Sequence, residues 1–517
     1  MGSTKGVVAA GDPQTAEAGA ALLREGGNAV DAAVAAAFAA FVCELPLCSP
    51  LGGGVCVVER GNGEAIAFDM FARTPGLGLA PGSPRDFAAV TVNFGAAAQV
   101  FHVGAASVAV PLALSGLIEL QRRLGARPLA AVLAPATALA KDGYVLGTGC
   151  GFVFDILRPI IDLTPEGRAL FSGADGEIAG VGAHLRNPDM AQTLADIAAR
   201  PARVRELYRA LADELGPRHG GLITPEDVDH AALAEHAPIA VAHGDWHLAT
   251  MPFPSTGGLL VALGLRLLEG VGRYRWLSKE HELFVGKVQE ALLSERDDTF
   301  RDRVADPVLA RAMLEDERLK VARAKARSLL GSTTQISAID EEGNAVSLTL
   351  TNGEGSGHVL RGTGMMANNI LGEEDLHPRG FHEDAPGTAI NTMMAPAILS
   401  RGADRVALGS GGSNRLRTAI LQTIVGLVEH GVSPAEAVHA PRLHVEIDRA
   451  SGEPKLAFEA AGMAPDVVQA LKDAYPFAPA VFEAPNLYFG GVHCALRIDG
   501  SFEGVGDARR GGARVIV

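Results

Sequence analysis

The chain is predicted to be a mixed α/β protein in which two β-sheets are covered by helices. Segments at both ends of the chain alternate apolar and polar residues, as strands do, whereas the middle, residues 109–217, repeats apolar residues at the three- and four-residue spacing of helices. A hairpin pattern also runs from Thr333 to Thr351, around the turn Glu341-Glu342-Gly343-Asn344. No internal repeat or linker separates these segments, so they are expected to form one interleaved unit.

Local patterns place the individual elements. Residues 14–25 and 28–42 are helical by composition, and Gly26-Gly27 between them suits the end of one helix before Asn28 caps the next. Residues 55–69 alternate like a second hairpin, and another strand is predicted near residues 238–250. Further helices are predicted where the helical period continues, over residues 111–124, 129–141, 190–214, 257–270 and 278–298.

Composition and charge exclude several classes of protein. The 517 residues are 48% hydrophobic and 20% charged, as in ordinary folded soluble proteins. The net charge of −15 argues against a nucleic-acid partner, because phosphate neutralisation needs clustered Lys and Arg. The most apolar run, residues 32–42, is too short to span a bilayer. The five cysteines lack the spacing of a zinc site or a disulfide framework. With no visible secretory signal, these features predict a cytoplasmic protein without a metal or cofactor.

Thr333 and Thr334 open the predicted hairpin and carry the clearest chemical signal. Cleavage of the Ser332–Thr333 bond would give Thr333 a free α-amine beside its own hydroxyl. An α-amine has a reference pKa of about 7.7–8.0, so near neutrality it can act as the base for that hydroxyl. Because β-branched residues also suit strands for packing reasons alone, this pair indicates a nucleophile only together with the rest of the chain.

Sequence blocks along nearly the whole chain supply that context. They occupy residues 25–33, 51–54, 108–111, 187–194, 252–258, 368–369, 394–396, 409–413 and 440–442. In content and order they resemble the γ-glutamyltranspeptidase family of N-terminal-nucleophile hydrolases. The resemblance implies a four-layer αββα sandwich and self-cleavage at Ser332–Thr333. It also implies that a large subunit, residues 1–332, and a small subunit, residues 333–517, form a heterodimer that could itself dimerise.

The resemblance assigns reaction roles to four residues. Thr333 would attack the preceding carbonyl in an N-to-O acyl shift and then serve as the catalytic nucleophile. Thr349, on the returning strand, would hydrogen-bond the hydroxyl of the nucleophile. The backbone N–H groups of Gly411 and Gly412 would form the oxyanion hole, where the loss of one donor typically costs ~2.7–4 kcal/mol. The glycine run, residues 409–413, is one residue shorter than in the family, so the resemblance does not define the conformation of its backbone.

The substrate-binding positions depart most from the family. Where the family has an arginine for a substrate α-carboxylate, this chain has Phe71, which cannot make the bidentate hydrogen bonds of a guanidinium. Arg73, two residues on, is a candidate replacement. Other polar contacts of the family are also changed, and the residues at these positions are Thr392 and Met393, Thr351 with the adjacent Asn352, Glu373, and Gln335.

Three functions remain open from the sequence. The first is a self-processing hydrolase that forms an acyl-enzyme on Thr333 and cleaves an amide, acyl or C–C bond of a small molecule other than glutathione, as in a biosynthetic pathway. The second is γ-glutamyl hydrolysis or transfer, with Arg73 binding the carboxylate. The third is an uncleaved, inactive homologue with a binding role. None of the three calls for a nucleic-acid or membrane partner.

Overall fold

Two antiparallel sheets lie face to face at the centre of the molecule. A computed structural model of the chain describes residues 4–80, 82–93, 98–294, 300–315, 333–377, 379–448, 451–477 and 479–517. Ser332, on one side of the predicted cleavage point, lies outside the described residues, whereas Thr333 on the other side is described.

The first sheet holds the predicted hairpin at its centre. Among the described residues its strand order is Ala234–His236, Ala65–Met70, Gly53–Glu59, Ala345–Thr351, Thr334–Asp340, Gly6–Ala10 and Ala513–Ile516. Asp340 accepts backbone N–H groups from Glu342 and Asn344 in the hairpin turn, and its other oxygen accepts the N–H of Ala29 at the start of a helix. Residues from before and after the predicted cleavage point therefore share this sheet.

The second sheet packs against the first through short polar side chains. Its order is Ile239–His243, Trp246–Thr250, Ala397–Arg401, Asp404–Gly411, Gly491–Ile498 and Ser501–Val505. Ser337 donates across the interface to the carbonyl of His493 at 2.9 Å, and Ser347 donates to the carbonyl of Leu408 at 2.7 Å. Shorter strands lie outside the two sheets, at Ala72–Arg73, Ala88–Asn93, Ala98–Val103, Val110–Pro111, Tyr144–Val145, His184–Leu185, Val359–Leu360, Met365–Met366, Leu443–Ile447, Pro454–Glu459 and Ala480–Phe482.

Helices cover both outer faces and complete four layers. Pro13–Arg24 and Ala29–Cys43 pack on the first sheet, and every residue of the second of these is buried because its alanines allow close approach. Thr256–Leu267 and Leu416–Val428 pack on the second sheet. The predicted αββα sandwich is confirmed. The other helices are Ala113–Leu124, Leu129–Asp142, Thr148–Ile156, Arg158–Ile161, Pro165–Leu170, Pro188–Ala199, Arg203–Leu215, Pro225–His230, Lys279–Ser294, Phe300–Ala305, Pro307–Glu315, Pro434–His439 and Pro465–Ala474.

Two predicted elements are each divided in two in the structure. The single strand predicted near residues 238–250 is a pair of antiparallel strands, Ile239–His243 and Trp246–Thr250. Residues 190–214 were expected to be one helical stretch, but they belong to two helices, Pro188–Ala199 and Arg203–Leu215. Pro201 separates them, because proline lacks the N–H that a helix interior needs and its ring clashes with the preceding turn. Across the described ranges, the structure contains no helix with the length and apolarity to cross a membrane.

Candidate active site

Strand ends from both sheets meet at one edge of the sandwich. Thr333 immediately precedes the central strand, whose register pairs Thr334 with Leu350. The next pair along the ladder is therefore Thr333 and Thr351. From the second sheet, Gly411 ends its strand against the backbone of Thr333. This convergence defines the candidate active site.

The approach of Gly411 to Thr333 leaves no room for a side chain. A Cβ atom on Gly411 would lie 2.3 Å from the carbonyl oxygen of Thr333. Gly412 follows with a φ of 121°, a conformation that glycine adopts without steric cost. A Cβ atom there would lie 2.8 Å from the Cα of Gly490. Gly411 thus lies against the predicted nucleophile and Gly412 follows it directly, and the part of these two glycines as an oxyanion hole stays a prediction.

The carbonyl of Thr333 also faces an arginine from the far end of the chain. Thr333 is 5% exposed, and Nη1 of Arg510 lies 3.4 Å from its carbonyl oxygen. Burial lowers the pKa of Arg510, while Glu354 and Asp507 oppose that shift. Sequence analysis missed Arg510. The signal that could have revealed it is the run Arg509-Arg510-Gly511-Gly512, two cations beside a glycine pair in an acidic chain.

Thr349 has a different partner from the one predicted. Its hydroxyl donates to Oε1 of Gln335 at 2.6 Å, and Nε2 of Gln335 donates to the hydroxyls of Ser337 and Ser347. A hydroxyl has one hydrogen to donate, so in this arrangement Thr349 donates to Gln335 instead of to Thr333. The register accounts for the difference, because Thr349 pairs with Gln335, and the same register continued by one position places Thr351 opposite Thr333.

Thr351 and Asn352 form the start of a buried turn beside Thr333. The Thr351 hydroxyl oxygen accepts the N–H of Gly353 at 3.0 Å. Asn352 is fully buried, and neither its side-chain oxygen nor its side-chain nitrogen has a hydrogen-bond partner in the described part of the chain. An unpaired buried amide costs roughly 1–3 kcal/mol, so hydrogen-bonding capacity is left unused at this edge.

Glu373 lies close to the same turn, with two other carboxyl groups nearby. A Cβ atom on Gly353 would lie 2.8 Å from Oε1 of Glu373. Burial raises the pKa of Glu373 well above its ordinary value, and the charges of Glu354 and Asp375 raise it further. The neutral acid is therefore favoured over the carboxylate. Asp375 accepts a hydrogen bond from Nδ2 of Asn414 at 2.8 Å, which ties this loop to the segment after the glycine pair.

Phe71 and Arg73 have separate environments. Phe71 is 1% exposed, and a Cβ atom on Gly53 would lie 2.7 Å from its ring. Gly53 pairs with Thr351. The strand Ala345–Thr351 therefore lies between Gly53, which the ring contacts, and the strand that follows Thr333. Arg73 forms a largely buried ion pair with Asp69, with 2.9 Å between Nη2 and Oδ2. Its guanidinium is therefore engaged inside the protein.

Thr392 and Met393 lie on a buried loop that a helix start holds in place. The carbonyl of Thr392 accepts the N–H of Thr256 at 3.0 Å, and a Cβ atom on Gly257 would lie 2.0 Å from the carbonyl oxygen of Met393. The strand that follows pairs in antiparallel register with the strand that ends at Gly411. Met393 thus contributes an apolar side chain at the same end of the second sheet as the glycine pair.

A buried carboxyl group lies behind the nucleophile, on the helix side of the first sheet. Glu44 accepts the hydroxyl of Thr15 at 2.7 Å on one oxygen and the hydroxyl of Thr334 at 2.5 Å on the other. Burial and, to a smaller extent, the charge of Asp12 raise the pKa of Glu44 to about 7, although the two hydroxyl donors and Arg510 oppose the shift. Sequence analysis missed Glu44, whose signal is a charged residue two positions after the apolar run 32–42.

Comparisons with known proteins identify relatives over most of the chain. A family model described as gamma-glutamyltranspeptidase matches residues 15–517. The acylase ACY 1 proenzyme of Pseudomonas sp. (strain V22) is 32% identical over 472 residues, which cover 86% of this chain and 83% of the relative. The glutathione hydrolase proenzyme of Escherichia coli (strain K12) is 25% identical over 486 residues, which cover 85% of this chain and 81% of that relative. The structure of a cephalosporin acylase from Bacillus halodurans matches with a TM-score of 0.75 at 21% identity, over 99% of this chain and 96% of that chain.

Proposed function

The chain belongs to the γ-glutamyltranspeptidase family, and on that basis we propose that it is a self-processing hydrolase with Thr333 as its nucleophile. The observation that carries the proposal is the position of Thr333, buried at the head of the central hairpin with Gly411 against its carbonyl. Cleavage at Ser332–Thr333 would divide the chain into residues 1–332 and 333–517, two subunits that share one core. Both named sequence relatives are proenzymes, which supports processing.

Two carbonyl groups are attacked in turn by the same oxygen. In the precursor, Oγ1 of Thr333 adds to the carbonyl carbon of Ser332 and the C–N bond breaks. The resulting ester is then hydrolysed by water, which leaves Thr333 with a free amine. In the mature enzyme that amine takes the hydroxyl proton as Oγ1 adds to the substrate carbonyl. Gly411 and Gly412 would donate N–H groups to the oxyanion, and Thr351 opposite Thr333 would take the role predicted for Thr349.

We further propose an acyl substrate that is not a γ-glutamyl compound. Binding of an α-carboxylate by Arg73 would have to disrupt its ion pair with Asp69, and Phe71 cannot replace a guanidinium. Glu373 is biased toward the neutral acid and so is a poor partner for an α-ammonium group. The 32% identical relative is an acylase, which supports amide cleavage. C–C bond cleavage would use the same acyl-enzyme with a carbon leaving group.

Two measurements on one preparation of the purified protein test the proposed function, one of chain cleavage and one of substrate preference. We expect mass spectrometry of the purified protein to show two chains, one of which begins at Thr333. We expect faster release of p-nitroaniline from simple acyl anilides than from γ-glutamyl-p-nitroanilide. Hydrolysis by an intact chain would rule out Thr333 as an N-terminal nucleophile. A preference for the γ-glutamyl compound that disappears in Arg73→Ala would establish γ-glutamyl hydrolysis instead.

We also propose the cytoplasm as the compartment of this enzyme. All five cysteines are free and buried, which suits a reducing environment. Fractionation of the source cells tests this proposal, and recovery of the protein outside the cytoplasmic fraction would contradict it.

A further inference from the structure

A buried carboxyl group, that of Glu44, is hydrogen-bonded to the residue directly after the predicted nucleophile. Thr333 and Thr334 share one peptide group, and its carbonyl oxygen packs against Gly411. On the other face of the strand, the hydroxyl of Thr334 donates to Oε2 of Glu44 at 2.5 Å. Once the chain is cleaved before Thr333, no preceding residue holds this new terminus in place. The position of Thr333 then depends on how firmly Thr334 is anchored.

The fold fixes Glu44 on several sides. This residue directly follows the fully buried helix Ala29–Cys43, and its backbone N–H closes the last turn of that helix. Its Oε1 accepts the hydroxyl of Thr15 at 2.7 Å. A Cβ atom on Gly11 would lie 2.3 Å from Oε2 of Glu44 and 2.9 Å from Oγ1 of Thr334, so a side chain at position 11 would separate the two groups. Each carboxyl oxygen is therefore held by one threonine hydroxyl.

A negative charge at this position is unfavourable for stability. Glu44 is 1% exposed, and it lies at the C-terminal end of a helix, where the helix dipole disfavours an anion. Burial and the charge of Asp12 raise the pKa of Glu44 to about 7. The stability that this group provides is therefore lost as the pH rises through about 7. An acid that destabilises the fold when charged, and that lies beside a nucleophile, indicates a part in the reaction.

The titratable groups around Glu44 belong to several different segments. Its charge acts on three buried thiols, those of Cys43, Cys48 and Cys150. Burial raises the pKa of each thiol well above its ordinary value, so all three stay neutral near pH 7. The two charged neighbours act in opposite directions, because Asp12 raises the pKa of Glu44 and Arg510 lowers it. Arg510 remains a cation throughout this range.

We propose that Glu44 is a positioning residue whose negative charge holds Thr334, and through it Thr333, in the geometry that reacts. This inference rests on the proposed function, since it concerns the same nucleophile. The carboxylate accepts the hydroxyls of Thr15 and Thr334 through charge-assisted hydrogen bonds. A neutral acid has a hydrogen of its own to donate and provides no charge assistance, so the bond to Thr334 weakens. Turnover is then fast when Glu44 is charged and slow when it is neutral.

Glu44→Gln is the decisive variant, because an amide has the shape of the acid and cannot become charged. We measure kcat/KM for a simple acyl p-nitroanilide, normalised to the cleaved fraction, between about pH 5 and 9 in both proteins. The ratio of wild type to variant cancels the titration of the Thr333 amine, which both proteins share. We expect this ratio to rise from about one to roughly 10-fold, the value of one hydrogen bond, with its midpoint at about pH 7.

The sign of this effect separates positioning from a structural role. Because the charged form of Glu44 is the less stable one, a merely structural role predicts that Glu44→Gln is at least as active as wild type at high pH. Positioning predicts a variant that is more stable and slower there, with the loss in kcat and little change in KM. A ratio that is flat or falls with pH would overturn the proposal.

Two variants that keep Glu44 cover the case in which Glu44→Gln fails to fold or mature. Thr15→Val removes a hydrogen bond that lowers the pKa of Glu44, so the rise of kcat/KM with pH should move to higher pH. Asp12→Asn keeps a side-chain oxygen to cap the helix Pro13–Arg24 and removes a charge that raises this pKa, so the rise should move to lower pH. Unmoved profiles, or shifts of the same sign, would overturn the role of Glu44.

The route through Thr334 is tested by a double-mutant comparison. In Thr334→Val, the further change Glu44→Gln should leave kcat/KM unaltered, whereas in Thr334→Ser it should keep most of its effect. An equal effect in both backgrounds would overturn this route. A flat ratio for Glu44→Gln, while Thr333→Ala is inactive, refutes the present inference alone. Hydrolysis without cleavage before Thr333 refutes the proposed function instead.

Discussion

The strand that begins after Thr333 has polar partners on both faces, and the two faces are built differently. On the inner face, between the sheets, Gln335 bonds to the hydroxyls of Thr349, Ser337 and Ser347, which do not titrate near neutral pH. On the outer face, under the helices, the hydroxyl of Thr334 bonds to the carboxyl of Glu44, whose pKa is about 7.

The contrast explains why two consecutive threonines can have different functions. Alternation along a strand places the side chains of Thr333 and Thr334 on opposite faces. Thr334 is tied to Glu44 and so anchors the backbone on the helix side. Thr333 lies on the face of Gln335, at the edge where Thr351 and Gly411 converge. One residue can therefore hold the position while the other reacts.

The largest expected effect separates the two threonines directly. Thr333→Ala should abolish both cleavage and turnover, because the acyl shift and the acyl-enzyme need its hydroxyl. Thr333→Ser should still cleave, at a lower rate. The control on the outer face is Thr334→Ser, which keeps the hydroxyl for Glu44 and should mature. Denaturing electrophoresis and mass spectrometry report cleavage, and two subunits in Thr333→Ala would refute the assignment.

The next effect tests the glycine that packs on the nucleophile. Gly411→Ala would bring a Cβ atom to 2.3 Å from the carbonyl oxygen of Thr333, so the two strands must separate. We expect turnover to fall by about 10²- to 10³-fold, as for the loss of an oxyanion donor. Gly180→Ala is the control, because a Cβ atom there has no heavy atom within 4 Å. Similar rate constants for the two variants would remove Gly411 from the site.

The contribution of the outer face to stability can be measured separately, because it depends on pH through Glu44. Because the native pKa of Glu44, about 7, exceeds the ordinary value of 4.5, the native state binds this proton more tightly than the unfolded chain. The resulting stability is present below pH 4.5 and is lost as pH rises through about 7, by roughly 3 kcal/mol in total. Glu44→Gln cannot titrate and should lack this loss. Unfolding midpoints of both proteins between about pH 5 and 8 measure it, and parallel pH curves would contradict the prediction.

The smallest effect distinguishes two hydroxyls on the inner face. Thr351→Val should lower kcat/KM by roughly 10- to 100-fold, the value of one hydrogen bond to the nucleophile. Thr349→Val should mainly lower stability, by ~1–3 kcal/mol, because Oε1 of Gln335 loses its donor. Kinetics and thermal unfolding of the matched pair decide between them. The opposite pattern would return the catalytic contact to Thr349.

Much of the fold could be predicted because its signals are local. The hairpin from Thr333 to Thr351 and the helices Pro13–Arg24 and Ala29–Cys43 follow from alternation, turn residues and caps within short stretches. Pro201 is also a local signal. It ends a helix although the apolar residues around it continue the helical period. The four-layer arrangement required the family resemblance, because alternation alone does not say which strands become neighbours.

The sequence by itself thus determined the elements, the central hairpin and the threonine that begins it. Only the tertiary structure decided the partners of the site residues. Arg510 reaches Thr333 across 177 positions of the chain, and the burial of Glu44 beside Thr334 moves its pKa toward 7. The physical reason is that periodicity and capping act between residues a few positions apart, whereas desolvation, ion pairing and competition for a hydrogen depend on groups that distant segments bring together.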